Sequence, residues 1–443
     1  MAKVFESRPH QDPLAEKEIN EINHIDRAEE AYTYESGLTP EQERKIIRRV
    51  DIRLLPILGM MYSISLVDRT NLGLALVAGM SKDLGLAVGS RYTILVMIFF
   101  VAYILFEIPS NMVLSRVGAA NWLSFLGVSF GTILIGMGFT KHWGTMALCR
   151  ALLGITEAGF LPGCTYLITC WYKRYEVGKR LSAFWILSIL TTGFAAIFAY
   201  VLTLLKGTAG LNGWSWIFII EGLITVVVCA GGWFLVVDFP TKADNFLKPE
   251  EKAFIIERIN ADRGDAEEEK VTFRVVLHHL KDWKLYFWAT NLMASTLPGY
   301  AYSYFLPIIL RDGMGYTTQQ AQLLSAPPYI FAAFVTLGSG WLGDKYHVRG
   351  PLIAVHQAIT ATGMLVTAFA KSNGARYFGT FLGMGFLQYC IPGVLAFQAN
   401  NITRHSKRAV ATATCMMGGG VGGIIAGVAF KSNESPGYRT GVW

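Results

Sequence analysis

The stretch RYTILVMIFFVAYILFEIPSNMVLS, residues 91–115, decides the class of fold, because it is apolar over the length that crosses a lipid bilayer. A transmembrane helix needs about 20 mostly apolar residues. Lipid offers no partner for unpaired backbone groups, so such segments are helical. The chain is therefore predicted to be an all-α polytopic membrane protein with about 11 transmembrane helices. The predicted segments are 53–78, 91–115, 120–139, 143–171, 181–205, 215–237, 284–310, 321–343, 350–370, 376–400 and 408–430.

The composition excludes several other classes of protein. The chain has 443 residues, of which 52% are hydrophobic and 16% charged, whereas soluble proteins carry about 25% charged residues. Its net charge of +7 is spread over short loops, so we expect no nucleic-acid partner. The six cysteines lie in apolar segments without a CxxC pair, which argues against a disulfide or zinc framework. With no nucleophile–base pair or phosphate loop, we predict neither an enzyme nor a cofactor.

The charged stretch 238–283 divides the apolar segments into a block of six and a block of five. A long central loop between two such blocks is typical of transporter pseudo-symmetry. We predict a cytosolic tail over 1–45, a six-helix bundle over 46–237, a cytosolic loop over 238–283 and a five-helix bundle over 284–443. The pattern leads us to expect a twelfth helix that the sequence does not contain. The polar first 40 residues predict no cleavable signal peptide.

Basic residues predict the orientation, because cytosolic loops carry an excess of Lys and Arg. The rule places the N-terminus and the central loop in the cytosol. The sequon at Asn433 would then face outside, and the one at Asn401 would face the cytosol. The basic residues that carry this argument are Lys45, Arg48, Arg49, Arg53, Lys173, Arg174, Lys179, Arg180, Arg404, Lys407 and Arg408.

Two adjacent charges, Asp68 and Arg69, lie within the first apolar segment. A charge near the bilayer centre costs about 3 kcal/mol or more, so ionisable residues there are functional by default. One interpretation is that Arg69 holds a substrate anion and Asp68 carries a proton. The alternative is a structural ion pair with neighbouring helices.

Glu157 occupies the middle of the fourth segment, seven residues after Arg150 and on the same helix face. Burial favours the protonated carboxyl, so Glu157 is a candidate proton site. It could instead be a strut that pairs with Arg69, and Arg150 is expected to be structural. Glu107, beside Pro109, could gate the cytosolic side or simply pair there.

Polar and aromatic residues of the second block could line a solute path. Tyr300 lies in the seventh segment and Gln388 in the tenth. Such residues also act as interfacial anchors or interhelical contacts. Glu221, in the sixth segment, suggests packing or an outer gate.

The loop GWLGDKYHVR, residues 340–349, lies between the eighth and ninth segments. It resembles the G-x-L-[AG]-D-x-x-x-x-R loop of the major facilitator superfamily. The resemblance implies that Asp344 and Arg349 make charged contacts that hold the outward-open state. The counterpart in the first half, 111–118, departs from the pattern at Asn111 and Ser115.

Four motifs together resemble the anion:cation symporter branch, as in fungal allantoate and nicotinate permeases. The likeness implies two helical bundles around a central cavity with alternating access. It implies that Arg69 binds a substrate carboxylate and that Asp68 and Glu157 carry protons. We add Asn71 to the substrate-binding residues, with Tyr300 and Gln388, and Arg180 to the gating residues, with Asp344, Arg349 and Glu107. The motifs are DRTN at 68–71, FEIPSN at 106–111, RALLGITEAGFLPG at 150–163 and WYKRYEVGKR at 171–180.

The leading functional hypothesis is proton-coupled uptake of a small organic anion such as nicotinate or allantoate. The expected partners are that anion, protons and the lipid bilayer, for a monomer in the plasma membrane. An exporter of an acidic metabolite on the same fold remains an alternative, because the sequence does not set direction. A non-transporting sensor or inactive paralogue is a third, favoured by the missing twelfth helix.

Overall fold

The structure, a computed structural model, describes residues 39–86, 88–243, 246–263, 273–402 and 405–429. The predicted tail up to residue 38, the sequon at Asn433 and the end of the chain lie outside these residues. The chain separates into two compact units, Met1–Asp51 and Ile52–Trp443. In the first unit, Thr39 accepts a hydrogen bond from the backbone of Gln42, and the Gln42 side chain accepts one from the Thr39 backbone.

Helices make up almost all of the described chain, as the apolar segments predict. Two five-residue π-helical segments, Leu76–Met80 and Ile309–Gly313, lie at the ends of the first and the seventh predicted membrane segments. The helices longer than three residues are α1 (Pro40–Ala75), α2 (Arg91–Val117), α3 (Ala119–Gly138), α4 (Trp143–Glu157), α5 (Phe160–Trp171), α6 (Val177–Thr203), α7 (Gly213–Leu235), α8 (Pro249–Arg263), α9 (Phe273–His279), α10 (Trp283–Ile308), α11 (Thr318–Tyr346), α12 (Arg349–Phe369), α13 (Asn373–Asn401) and α14 (His405–Ala429).

Within the described residues, nine helical spans are long and apolar enough to cross a membrane. A tenth is the bent pair Val177–Ala195 and Ile197–Thr203, which meet at 42°. These ten overlap ten of the predicted segments, and the largest shift is in the first, Glu41–Arg69 against the predicted 53–78. The remaining predicted segment, 284–310, forms the 26-residue helix α10. The multi-pass membrane architecture is therefore confirmed.

The fourth predicted segment is interrupted at residues 158–159, between α4 and α5. A side-chain carbon on Gly159 would lie only 1.8 Å from the Ser110 hydroxyl of α2. The absence of a side chain at Gly159 therefore lets α2 approach the chain closely at this point. The whole stretch Trp143–Trp171 still forms one span of membrane length, with Glu157 near its middle.

In the second unit, helices of the two predicted bundles pack together around a central space. We call the bundle 46–237 the first half and the bundle 284–443 the second half. Within the first half, α3 packs on α7 and α2 packs on α4. Within the second half, α10 packs on α14 and α12 packs on α13. Between the halves, α6 packs against α11 and α13, and α2 packs against α14. The division into a six-helix and a five-helix bundle stays a prediction.

A substitution at Gly154 should test the close approach of α2 and α4. An added side-chain carbon at this position would lie 2.3 Å from the backbone oxygen of Phe99. That oxygen belongs to the backbone of a helix and cannot move away easily. We expect Gly154→Ala to destabilise the protein by about 1–3 kcal/mol, the usual cost of overpacking. The measurement is the thermal unfolding midpoint of the detergent-purified protein.

Gly144, in the same helix, provides the matched control, since nothing lies within 4 Å of its added carbon. Alanine is favoured over glycine in helices by up to about 1 kcal/mol. We therefore expect Gly144→Ala to leave the midpoint unchanged or slightly raised. Equal midpoints for the two variants would show that the α2–α4 contact is not as close as described.

Candidate functional site

An ion pair between Arg69 of α1 and Glu157 of α4 lies at the centre of the site. The Arg69 Nε donates to Glu157 Oε1 at 2.5 Å, and the Ser65 hydroxyl donates to the same oxygen at 2.5 Å. Ser65 precedes Arg69 by four residues, so both lie on one face of α1. The exposed fraction is 5% for Arg69 and 0% for Glu157. The pair is thus almost fully shielded from solvent.

Aromatic rings complete the surroundings of the Arg69 guanidinium. Its central carbon lies 4.8 Å from the ring centre of Tyr103 and 5.6 Å from that of Phe99, both on α2. These distances are within the range of cation–π attraction. The Nη1 donates to the hydroxyl of Tyr300 in α10, at 3.2 Å. Arg69 is therefore held by residues from both halves of the chain.

A cavity between the two halves begins at Arg69. The volume that the centres of water-sized molecules can occupy is about 70 Å³. This is enough room for several waters or one small solute. Polar groups on its wall include Arg69, Tyr300, Gln388 and Thr192. The other lining residues are Tyr62, Leu66, Tyr103, Leu161, Trp185, Ile189, Leu292, Thr296, Gly299, Ser303, Tyr329, Ile391, Met416, Gly419 and Gly420.

The Arg69 guanidinium does not use all of its hydrogen-bond donors. Its Nη2 has no hydrogen-bond partner within the part of the chain that the structure describes. A guanidinium presents its donors in a planar fork that matches a carboxylate. Because Arg69 lines the cavity, its guanidinium is the cationic group that an anionic solute there would meet.

The structure brings together three of the four predicted substrate-binding residues. Arg69, Tyr300 and Gln388 all line the cavity. Asn71 does not; its side-chain amide donates a hydrogen bond to Glu221 of α7. Asp68 is also absent from the cavity wall and is fully buried. The two predicted proton carriers thus differ, since Glu157 contacts the cavity arginine and Asp68 faces α7.

Glu107 of α2 is buried without exposed area. Neither of its carboxyl oxygens has a hydrogen-bond partner among the residues the structure describes. Its helix, α2, packs against α14 of the second half. Glu107 therefore lies where the first half meets the second, and its predicted gating role stays a prediction.

The predicted gating loop closes one end of the molecule. Asp344, in the last turns of α11, pairs with Arg349 at the start of α12 and accepts a hydrogen bond from the Lys179 backbone at 2.6 Å. A side-chain carbon on Gly178 would lie 2.4 Å from an Asp344 oxygen. The N-terminus of α6 is therefore held directly against α11, which joins the two halves at this end.

Arg180 belongs to a neighbouring ionic cluster. Its guanidinium lies 4.1 Å from the ring centre of Tyr172 and 3.6 Å from a Glu176 oxygen. Glu176 also accepts two hydrogen bonds from Arg258 of α8, at 2.5 and 3.1 Å. Burial raises the pKa of Glu176, but hydrogen bonding and charge from Arg258 outweigh it and leave the pKa lowered. The stabilisation is thus present at neutral pH and is lost as the pH falls through this lowered pKa.

Several site residues were not singled out from the sequence. Tyr62, Tyr103 and Trp185 form much of the cavity wall, and an aromatic residue within an apolar segment gives no signal of its direction. The Trp185 indole donates to Gln388 at 3.1 Å and so joins the halves beside the cavity. Ser65 could have been found, because it lies one helical turn before Arg69.

Residues 58–427 match the family model described as Major Facilitator Superfamily. The MFS-type transporter cnsO of Penicillium expansum is 32% identical, over 92% of this chain and 80% of that protein. The high-affinity nicotinic acid transporter of Saccharomyces cerevisiae is 29% identical, over 90% of this chain and 74% of that protein. The solved proton:xylose symporter XylE has a TM-score of 0.65 at 14% identity, over 87% of this chain and 92% of that chain.

Removing the charge of Asp344 should loosen the closed end. Ser182 of α6 is 1% exposed and packs against Gly340 of α11. In a background without the six native cysteines, we expect Ser182→Cys to react slowly with a hydrophilic thiol reagent. Adding Asp344→Asn should raise that rate several-fold, because the Arg349 pair is lost and the contact with the α6 N-terminus is weakened. The reaction is followed by mass spectrometry on purified protein.

Asp282→Asn is the matched control. Asp282, at the end of the central loop, pairs with Lys407 of α14 at 2.5 Å, so this contact does not join the first half to the second. We expect it to leave the labelling rate of the Ser182→Cys protein unchanged. If Asp344→Asn is no faster than this control, the loop at 340–349 does not hold the two halves together.

Proposed function

Because the chain belongs to the major facilitator superfamily, we propose that this transporter carries out proton-coupled uptake of a small organic anion. We place it in the plasma membrane as a monomer, with its N-terminus and central loop in the cytosol. Membership of this family makes the chain a multi-pass membrane transporter for a small molecule. Direction, coupling ion and substrate are the parts that we add.

The observation that carries the proposal is the position of Arg69. Arg69 lies on the cavity wall, and its Nη2 has no hydrogen-bond partner among the described residues. The carboxylate of Glu157 pairs with it and neutralises its charge. An anionic solute and Glu157 can therefore compete for one guanidinium. A proton on Glu157 removes its charge and leaves Arg69 to the solute.

A transport cycle follows from this competition. From the outside, a proton binds Glu157 while the solute carboxylate binds Arg69, so the net charge at the centre is conserved. The halves then move, and the contacts between Asp344 and the start of α6 release. On the cytosolic side, Glu157 loses its proton and pairs with Arg69 again, which expels the anion. Asp68 is the second predicted proton carrier in this cycle.

The cavity favours a small, flat anion over a bulky one. The space is small and its wall is rich in aromatic rings, among them Tyr62, Trp185 and Tyr300. Aromatic side chains pack well against another ring, by stacking or edge-to-face contact. Gln388 offers an amide for a ring nitrogen or a second polar group. A pyridine carboxylate fits these features, and one relative is named a nicotinic acid transporter.

Arg69→Ala should abolish most of the uptake of labelled nicotinate by cells that express the chain. A hydrogen bond to a charged group is worth about 1.5–3 kcal/mol, so we expect a fall of roughly 10- to 100-fold. Arg69→Lys should retain more activity than alanine, since the charge remains but the planar fork is lost. Parent uptake should also collapse when the proton gradient is dissipated.

Arg44→Ala serves as control, because Arg44 is exposed and lies far from the cavity residues in sequence. It should transport at the parent rate at equal surface expression. Parent-level uptake by Arg69→Ala would refute the proposed role of Arg69. Parent uptake that ignores the proton gradient would refute the coupling.

A further inference from the structure

A hydrogen bond between Trp185 of α6 and Gln388 of α13 joins the two halves at the cavity. The indole Nε1 donates to Gln388 Oε1 at 3.1 Å. Both residues line the cavity, and their exposed fractions are 4% for Trp185 and 9% for Gln388. The Gln388 amide is therefore held by a buried partner on the opposite half of the protein.

The chemistry of its two neighbours dictates which way this amide faces. A tryptophan indole can only donate a hydrogen bond, so the amide must present its oxygen to Trp185. The amide nitrogen donates to the Met384 sulfur at 3.2 Å, and a thioether can only accept. Turning the amide over would place N–H against N–H and oxygen against sulfur, and both hydrogen bonds would be lost. The orientation of Gln388 is thus specified from both sides.

This orientation places the amide oxygen on the side of the cavity. Trp185, which holds the oxygen, belongs to the cavity wall. Met384, which holds the nitrogen, is fully buried and is not among the described residues that line the cavity. A carbonyl oxygen has two lone pairs, and the indole uses one of them. Gln388 can therefore accept a hydrogen bond from a solute, whose own group must then be a donor.

Two threonines of the cavity wall have the same polarity. The Thr192 hydroxyl donates to the backbone oxygen of Ser188 at 2.8 Å, and the Thr296 hydroxyl donates to that of Leu292 at 3.0 Å. A hydroxyl whose single hydrogen is used in this way has only lone pairs to offer. The tyrosine hydroxyls of the wall can donate as well as accept, so they set no preference.

The polar groups around the cavity therefore divide into donors and acceptors. The Arg69 guanidinium has donors alone, which suit a carboxylate. Gln388, Thr192 and Thr296 offer acceptors to the same space. A site built to accept a hydrogen bond discriminates against an analogue that lacks the donor. A complementary solute has acceptors at one end and a donor elsewhere.

We propose that the preferred solute is a small aromatic carboxylate that carries an N–H or O–H donor apart from its carboxylate. Trp185 is the positioning residue for this preference, because it turns the Gln388 oxygen toward the solute. The proposal rests on the proposed function, since it takes Arg69 as the partner of the carboxylate. Nicotinate, whose unprotonated ring nitrogen can only accept, is then a weaker ligand than an analogue with an amino or hydroxyl group.

Binding of three matched carboxylates to the purified protein tests this preference. Benzoate has no second polar group, nicotinate adds an acceptor, and 3-aminobenzoate adds a donor. Titration calorimetry gives the three dissociation constants. We expect 3-aminobenzoate to bind roughly 2- to 10-fold more tightly than benzoate, the value of one net hydrogen bond, and nicotinate to bind no more tightly than benzoate. Tighter binding of nicotinate than of 3-aminobenzoate, equal binding of all three, or no binding would overturn the proposal.

Two variants assign the preference to its residues. Gln388→Leu removes the acceptor and should erase the difference between 3-aminobenzoate and benzoate. Trp185→Phe keeps a ring beside Tyr62, whose centre lies 5.1 Å from that of Trp185, but it removes the N–H that orients the amide. The amide can then turn, so nicotinate should gain several-fold relative to 3-aminobenzoate. A tryptophan that served packing alone would weaken the binding of all three compounds equally.

Trp233→Phe is the matched control, because Trp233 of α7 is 41% exposed and is not among the described cavity residues. It should keep the parent order of affinities. The parent order in Trp185→Phe would refute the positioning role of Trp185. A preference for 3-aminobenzoate that persists in Gln388→Leu would refute Gln388 as the acceptor.

Uptake measured beside binding separates this preference from the proposed function. If 3-aminobenzoate is bound most tightly but its uptake ignores the proton gradient, the donor preference is supported and the proton coupling is refuted. If all three compounds enter with protons and bind equally, the proposed function is supported and the donor preference is refuted.

Discussion

The buried ion pair between Arg69 and Glu157 limits which charges the centre of this protein can hold. Breaking such a pair by removing one partner costs roughly 3–5 kcal/mol, because the other charge is left unpaired in a dry interior. Neither residue can therefore stand alone in a closed protein. A change of partner is allowed only when a new charge arrives, either an anion at Arg69 or a proton at Glu157. In the proposed cycle, this constraint is what couples the anion at Arg69 to the proton at Glu157.

The position of the pair also explains how local binding can move whole helices. Arg69 and Glu157 belong to the first half, whereas Tyr300 and Gln388 reach the same space from the second half. A solute bound at Arg69 thus contacts both halves at once. Away from the cavity, Asp344 holds the α6 N-terminus against α11. In the proposed cycle, binding at the centre would be linked to closure at the end, because α6 contributes Trp185 to the one and Gly178 to the other.

The sequence predicts the membrane helices and the important charges, since both depend on residue type and spacing. Lipid demands long apolar segments, and a charge such as Asp68 or Glu157 stands out against them. The direction in which each side chain points is harder to predict, because adjacent helical residues point about 100° apart. Asn71 was expected at the substrate, yet it contacts Glu221 on a helix 150 residues away in sequence. The close approach of Ser110 to Gly159 joins distant parts of the sequence, and no local pattern reveals it.

The most direct test of the exchange at Arg69 is the number of protons taken up when nicotinate binds the purified protein. It is obtained by titration calorimetry in buffers of different ionisation enthalpy. We predict net proton uptake by the parent near neutral pH, and a smaller uptake by Glu157→Gln, in which the ion pair is already broken. Binding without proton uptake in the parent, or the same uptake in both proteins, would contradict the account.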